Sequence, residues 1–282
     1  MTETEDFPAS PGRTVDSRRY YDAFLRAVDM FEQIPAKARG PNPDRSLHDL
    51  TLHLYQKGTK SDALFRSTLG ASTAMAGFWL SQVRTIAEWM VATTELPQYR
   101  QLEEGDLARL AGLSSQISNI AGLQEILKDL GIILVYQAAI PGAKVDGCAF
   151  LLSESRPVIA LSLRYTRVDY FWFTVMHELA HLCLHQGQLF SPILDNLDEP
   201  EVELVEIQAN RLARDALIPR NLWRNCPAKY SLKEEDVIAF AESIGVAPQI
   251  VAGRLRKEQR RHDLFNGLVH AHNVRELLKK DA

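Results

Sequence analysis

The sequence predicts an α+β protein that is mostly helical, and three observations carry the prediction. Long segments repeat apolar residues at a period near 3.6. Between residues 131 and 163 the pattern changes to short apolar runs separated by turn residues. Directly afterwards FWFTVMHELAHLCLH, residues 171–185, is apolar almost all the way round, as a helix is when it is buried in a core. At 282 residues and 46% apolar content, the chain has material for one large domain or two small ones.

Taken in order, residues 1–17 carry Glu3, Glu5, Asp6 and Asp16 against Arg13 and have little to bury, so a disordered tail is expected. A helix over 18–37 presents Tyr21, Phe24, Leu25, Val28 and Phe31 on one face, and GPNPD at 40–44 breaks it. Two short helical pieces follow, at 46–57 and 61–68. A longer helix over 71–94 spaces Met75, Phe78, Trp79, Val83, Ile86 and Met90 as a packing face. LPQYRQLEEGD, 96–106, reads as a linker. Helices are expected at 106–117 and 119–130, with Gly131 placed to end the second in the left-handed conformation. GIILVYQ (131–137), CAFLL (148–152) and PVIALSL (157–163) read as strands. The short SESR turn makes a hairpin of the last two, which predicts a small antiparallel sheet. Thr166 or Asp169 could cap the buried helix that follows.

The formal net charge of −4 gives no overall basic field to draw the chain to nucleic acid. Cys148, Cys183 and Cys226 are far apart and odd in number, which fits free thiols rather than a disulfide framework or a cysteine metal knot. The start, MTETEDFPASPG, is the opposite of a signal peptide's basic, then apolar, layout, and no run approaches the ~18 apolar residues of a membrane span. A cytoplasmic protein is expected.

The buried helix poses a chemical question, because it carries His177, Glu178, His181 and His185, whose burial costs free energy without partners. His177 and His181 lie about 40° apart and one turn along, so both imidazoles can reach one point. Glu178 stands about 100° round from His177 and can approach that point without being a ligand. This is the HExxH arrangement, two imidazoles on a zinc ion with the glutamate as general base for a bound water. A metal ion compensates the buried histidines and lowers the water's pKa to about 7.

A third ligand is required. The residue ten beyond His177 is Gly187, not histidine. His185 lies about 12 Å along the axis from His177, too far for one ion, and is read as a residue behind the ligands or a satisfied core histidine. A second helix must supply the ligand, from DNLDEPEVELVEIQANRLARDALIP, with Asp198 or Glu199 and Pro200 at its start. Its stripe is Val202, Val205, Ala209, Leu212, Ala213 and Ala216. With Val205 at zero, Glu206 falls at about 100°, on the stripe's margin, and Glu203 at about 160°, toward solvent. Glu206 is therefore the expected third ligand, and the other acids from Asp195 onward are a solvated loop and first turn. Arg164, Tyr165 and His185 come into consideration as the partner of a developing oxyanion, and the residues alone select none of them.

These residues resemble a known family. FWFTVMHELAHLCLH followed by EIQANRLARDALIP is similar to the ImmA/IrrE zinc metallopeptidases, closest to the HigA-like antitoxin and regulator branch. The similarity extends through LFRSTLGASTAMAGFWLSQVR, VDGCAFLLSESRPVIALSLRYTRVDYFW and APQIVAGRLRKE. The resemblance implies a zincin-like core of the gluzincin type, with a small antiparallel sheet packed on the HExxH helix. It implies one zinc ion held by His177, His181 and Glu206, with Glu178 as base in a metallo-endopeptidase. Its implied substrate is a DNA-binding repressor in a stress or toxin-antitoxin circuit. The expected organisation is a tail at 1–17, an N-terminal helical region at 18–95 and a metallopeptidase domain at 105–282. Residues 18–66 lack the helix-turn-helix with which the HigA-like branch usually begins.

A helix-turn-helix-like segment is instead expected within 231–262. Ala241, Gly245, Val246, Val251 and Leu255 fit two helices crossing through a tight turn, and the second ends in Arg254, Arg256, Lys257, Arg260 and Arg261. Such a helix could touch DNA through 247–261, or it could pack internally or dock a partner protein. The rival to the enzyme is a DNA-binding transcriptional regulator or antitoxin that keeps the peptidase fold as a scaffold.

Overall fold

A computed structural model describes residues 16–57, 73–153, 156–190, 192–196 and 203–279. The chain divides into two compact units, Met1–Phe78 and Trp79–Ala282.

In the first unit, α1 (Ser17–Glu32) is capped by Asp16, whose carboxylate accepts from the Arg18 and Arg19 amides at 3.1 and 3.2 Å. It buries Ala23, Ala27 and Phe31 and packs on α2 (Pro43–Lys57). The expected break is shorter than GPNPD. Pro43 opens α2, because a first-turn residue needs no amide donor. The helix expected at 61–68 and the tail at 1–15 lie outside the described residues. Helix α3 spans Thr73–Thr93. Its buried side is Ala74, Ala76, Phe78, Trp79, Leu80, Val83 and Ala87, with Met75, Ile86 and Met90 at the margins.

In the second unit, α4 (Glu104–Gly112) and α5 (Asn119–Asp129) precede the sheet. Gly131, at φ +76°, ends α5 as expected. Its amide donates to the Lys128 carbonyl at 2.8 Å and the Ile132 amide to Leu127 at 3.0 Å, the paired bonds of a Schellman ending. A side chain there would also meet the Tyr99 backbone at 2.8 Å.

Strands β1 (Ile133–Tyr136), β2 (Gly147–Ser153), β3 (Arg156–Leu161) and β4 (Ile193–Asp195) form one sheet in the order β1-β3-β2-β4. The predicted hairpin is present, with Cys148 opposite Ala160 and Phe150 opposite Val158. The sheet is mixed, however, not wholly antiparallel. The 137–146 connection carries the chain past β3, so β1 pairs with β3 in parallel and β2 returns on the far side. Strand β4 has too few residues to show a period; it pairs antiparallel with β2, Gly147 opposite Asp195. Ile159 and Leu161 face a core shared with the next helix, while Val158 and Ala160 are buried on the opposite face. A strand covered on both faces reads as a continuous apolar run, as PVIALSL does.

Helix α6 (Val168–Leu184) lies on β2 and β3. Its N-cap is Arg167 with no side-chain cap, not Thr166 or Asp169. Asp169 sits inside the first turn, where Arg167 Nε donates to it at 2.9 Å, and Thr166 gives only its carbonyl, to the Val274 amide. Helix α7 (Leu204–Leu217) packs along α6, followed by α8 (Arg220–Arg224), α9 (Ala228–Ser231), α10 (Glu234–Ile244), α11 (Pro248–Gln259), α12 (Asn266–Val269) and α13 (Val274–Lys279). The Pro200 start expected for α7 lies outside the described residues, within which Glu203 is the N-cap. No single described helix is long and apolar enough to cross a membrane.

Candidate metal centre

Helix α6 is buried along most of its length, including His177, Glu178 and His181, each fully enclosed. One helical turn sets the two imidazoles edge to face, ring centres 4.7 Å apart at 80°, and brings their Nε2 atoms to 3.0 Å. Helix α7 contributes Glu206, with Oε2 3.2 Å from His177 Nε2 and Oε1 3.5 Å from His181 Nε2. The three residues expected to hold a metal are thus brought together, with their donor atoms all within 4.8 Å of one another. Four ligands at tetrahedral positions about 2.05 Å from a zinc ion stand roughly 3.3 Å apart. The three spacings bracket that value, so the donor set fits zinc.

Glu206 is better placed than the sequence indicated. The buried residues of α7 are Ala209, Asn210, Ala213 and Leu217. With Val205 at zero they average about 95°, which puts Glu206, at about 100°, on the centre line of the buried face rather than its margin. The apolar stripe hid this because it took in Val205, Leu212 and Ala216, which are only half-buried and pull its centre away from Glu206, and left out Leu217 and the polar Asn210. Glu203 is exposed, as expected.

Asn210 is one site residue the sequence reading missed. Its Oδ1 lies 3.1 Å from His177 Nδ1, so the imidazole donates there and keeps its Nε2 lone pair for the centre. The only sequence signal was its place four residues beyond Glu206, one turn along the same face. On the other side, His181 Nδ1 lies 3.1 Å from His185 Nδ1, and His185 Nε2 lies 3.0 Å from Gln208 Oε1. Burial lowers the pKa of His185 and favours its neutral form. Assigned from these contacts, both Nε2 atoms and the Glu206 carboxylate direct lone pairs at one point. A cation at that point would be held by all three groups.

Glu178 points toward the start of β2. A Cβ built on Gly147 would overlap Glu178 Oε1 and lie 2.9 Å from its Cδ and 3.0 Å from the Ala160 carbonyl oxygen. Only glycine leaves room for the carboxylate there, so β2 forms one wall of the site. Next to it, Arg164 Nε pairs with Asp146 at 2.9 Å, and Arg164 Nη2 reaches Asn196 Oδ1 at 3.3 Å. Tyr165 stacks near Tyr170, ring centres 4.5 Å apart, beneath the Arg164 guanidinium. Asp146, Arg164, Tyr165 and Tyr170, with Phe171 and Thr174, line a small cleft on the Thr174 side of α6, one turn before Glu178. His185, the third residue considered for the oxyanion, instead sits behind His181 and contacts Gln208.

The expected helix-turn-helix-like pair is α10 and α11, crossing at 119° through Gly245. Its basic residues are largely engaged by neighbouring elements. Arg254 donates to the Ile218 carbonyl at 3.2 Å, pairs with Glu258 at 3.0 Å and covers the Trp223 ring. Arg256 is buried and donates to Leu264 O and Asn266 Oδ1, while Lys257 stands over Phe173. Arg261 pairs with Asp263, and Arg260 is exposed at the helix end. Helix α11 packs on α6, where Gly253 meets Asp169, so the pair braces the helix that carries the histidines.

Residues 132–256 match a family model described as Peptidase_M78, the IrrE N-terminal-like domain. That span includes His177, Glu178, His181 and Glu206. No curated protein matches the chain.

Proposed function

We propose, from the premise that residues 132–256 of this chain are a domain of the Peptidase_M78, IrrE-like family, that the protein is a zinc-dependent endopeptidase. Its substrate on this reading is a partner protein, a DNA-binding repressor whose cleavage relieves repression in a stress or toxin-antitoxin circuit. The observation that carries the reading is the convergence of His177, His181 and Glu206 beside the enclosed Glu178.

His177 Nε2, His181 Nε2 and Glu206 would hold one zinc ion. When bound, the ion supplies Lewis acidity, polarising a peptide carbonyl and acidifying water to a pKa of about 7. Glu178 accepts the proton of the attacking water and returns it to the departing amine nitrogen. Gly147 lets its carboxylate lie close to β2, and the substrate backbone is held by strand addition to the sheet edge. Histidines 177 and 181 keep their lone pairs inward because Asn210 and His185 accept their Nδ1 protons.

The test uses the full chain and any helix-turn-helix repressor found encoded beside its gene. Glu178→Gln should keep stoichiometric zinc and lose cleavage by at least about 10²-fold, the scale of a general base. Chelator should abolish wild-type cleavage. Full activity in Glu178→Gln disproves the mechanism. Binding to upstream DNA at physiological salt, indifferent to chelator and without cleavage, would establish the regulator or antitoxin instead.

A further inference from the structure

Helix α7 bears three polar side chains at alternate positions, Glu206, Gln208 and Asn210. Glu206 and Asn210 share the face toward α6, about 40° apart. Gln208 falls about 160–200° from both and stands on the exposed side. It nevertheless reaches the centre through an intermediary. His185 follows His181 by one turn, is only 5% exposed, and sets its two nitrogens between His181 Nδ1 at 3.1 Å and Gln208 Oε1 at 3.0 Å.

A chain of two neutral imidazoles has two polarities. In the first, the Gln208 oxygen accepts the Nε2 proton of His185, whose bare Nδ1 accepts the Nδ1 proton of His181. The Nε2 lone pair of His181 then faces Glu206 and His177. In the second, the Gln208 amide is turned over and donates to His185, which donates through Nδ1 to His181. His181 then carries its proton on Nε2, aimed into the centre, and cannot bind a cation. The choice between them rests on which amide atom Gln208 presents.

We propose that Gln208, acting through His185, is a positioning residue that fixes His181 in its metal-binding tautomer. The proposal rests on the metallopeptidase reading of the centre. Asn210 does the same for His177 directly. One helix therefore supplies a ligand and orients both imidazoles, one by contact and one by relay. A glutamate at 208 can only accept and so locks the productive polarity; a leucine removes the bias.

Zinc affinity of the full-length protein, measured by competition with a chromogenic chelator, reads this without any substrate. Gln208→Leu should weaken zinc binding by about tenfold and His185→Phe by about 10- to 100-fold, the range for groups that orient metal-bound histidines. Gln208→Glu should bind at least as tightly as the wild type. The double variant Gln208→Leu/His185→Phe should be no weaker than His185→Phe alone, because Gln208 acts only through the imidazole. Since Gln208 is on the surface, its variants should melt with the wild type when metal-free. Zinc binding by Gln208→Leu equal to wild type, a Gln208→Glu loss as large as that of leucine, or additive losses in the double variant would overturn the relay and leave the metal centre standing. A wild type that binds zinc no better than His177→Ala removes the metal reading itself, and the relay with it.

Discussion

Removing the metal should lower the melting temperature of this protein by an amount the site geometry sets. The donor atoms of His177, His181 and Glu206 stand 3.0, 3.2 and 3.5 Å apart, against the roughly 3.3 Å of a tetrahedral zinc site, so the ion enters with little movement of α6 or α7. It also removes the repulsion among three converging lone-pair groups. Binding free energy therefore reports as stability. At free zinc about 10³ times its dissociation constant the native state gains about 4 kcal/mol. For a domain of 150–250 residues each kcal/mol moves Tm by about 2–4 °C. The unit Trp79–Ala282 falls in that range, so zinc-loaded and chelator-stripped protein should melt about 8–16 °C apart. Near-ultraviolet circular dichroism follows the transition through Trp172, buried on the same helix. Glu206→Gln should lose most of the shift, and Glu178→Gln should keep it. Equal melting temperatures with and without zinc, or an undiminished shift in His177→Ala, would refute the reasoning.

Two further outcomes follow from the packing around the site. Gly147→Ala forces the Glu178 carboxylate to move by about 1 Å, which should cut cleavage about 10²-fold while zinc content holds; wild-type turnover would show that β2 does not cradle the base. At the start of α4, the Asp106 carboxylate accepts the Glu103 amide at 2.8 Å and pairs with Arg100 and Arg109, and the amide bond first, then Arg100, lowers its pKa. A depressed carboxylate stabilises the fold above its unfolded pKa near 4, and that contribution is lost as pH falls through the lower folded value. Asp106→Ala should thus cost about 1 kcal/mol near pH 7, as for a lost helix cap, with the gap from wild type closing in acid. Urea titrations at pH 7 and pH 3 check it, and a gap that widens in acid contradicts the sign.

Much of the site was legible because its chemistry is local. His177, Glu178 and His181 lie within two turns of one helix, and backbone geometry alone fixes their relation. An apolar run with buried imidazoles admits few explanations. The Gly131 ending and the β2–β3 hairpin were readable for the same reason, since a positive φ and a short turn between apolar runs are properties of a few consecutive residues. Glu206 was found by helical phase, but its depth was underestimated, because the phase was measured from apolar residues that include the half-buried Val205, Leu212 and Ala216, while the buried face is Ala209, Asn210, Ala213 and Leu217.

What the sequence alone determined, then, is the run of helices, the hairpin, and the HExxH helix with a carboxylate on the next long one. Tertiary structure decided that β1 lies parallel to β3, that three residues at 193–195 complete the sheet, and that Gly147 makes room for Glu178. It also decided that a separate helix brings Asn210 to His177 and Gln208 to His185, the residue behind His181. Each of these depends on contacts between segments far apart in the chain, where no local period records the partner and only packing selects it.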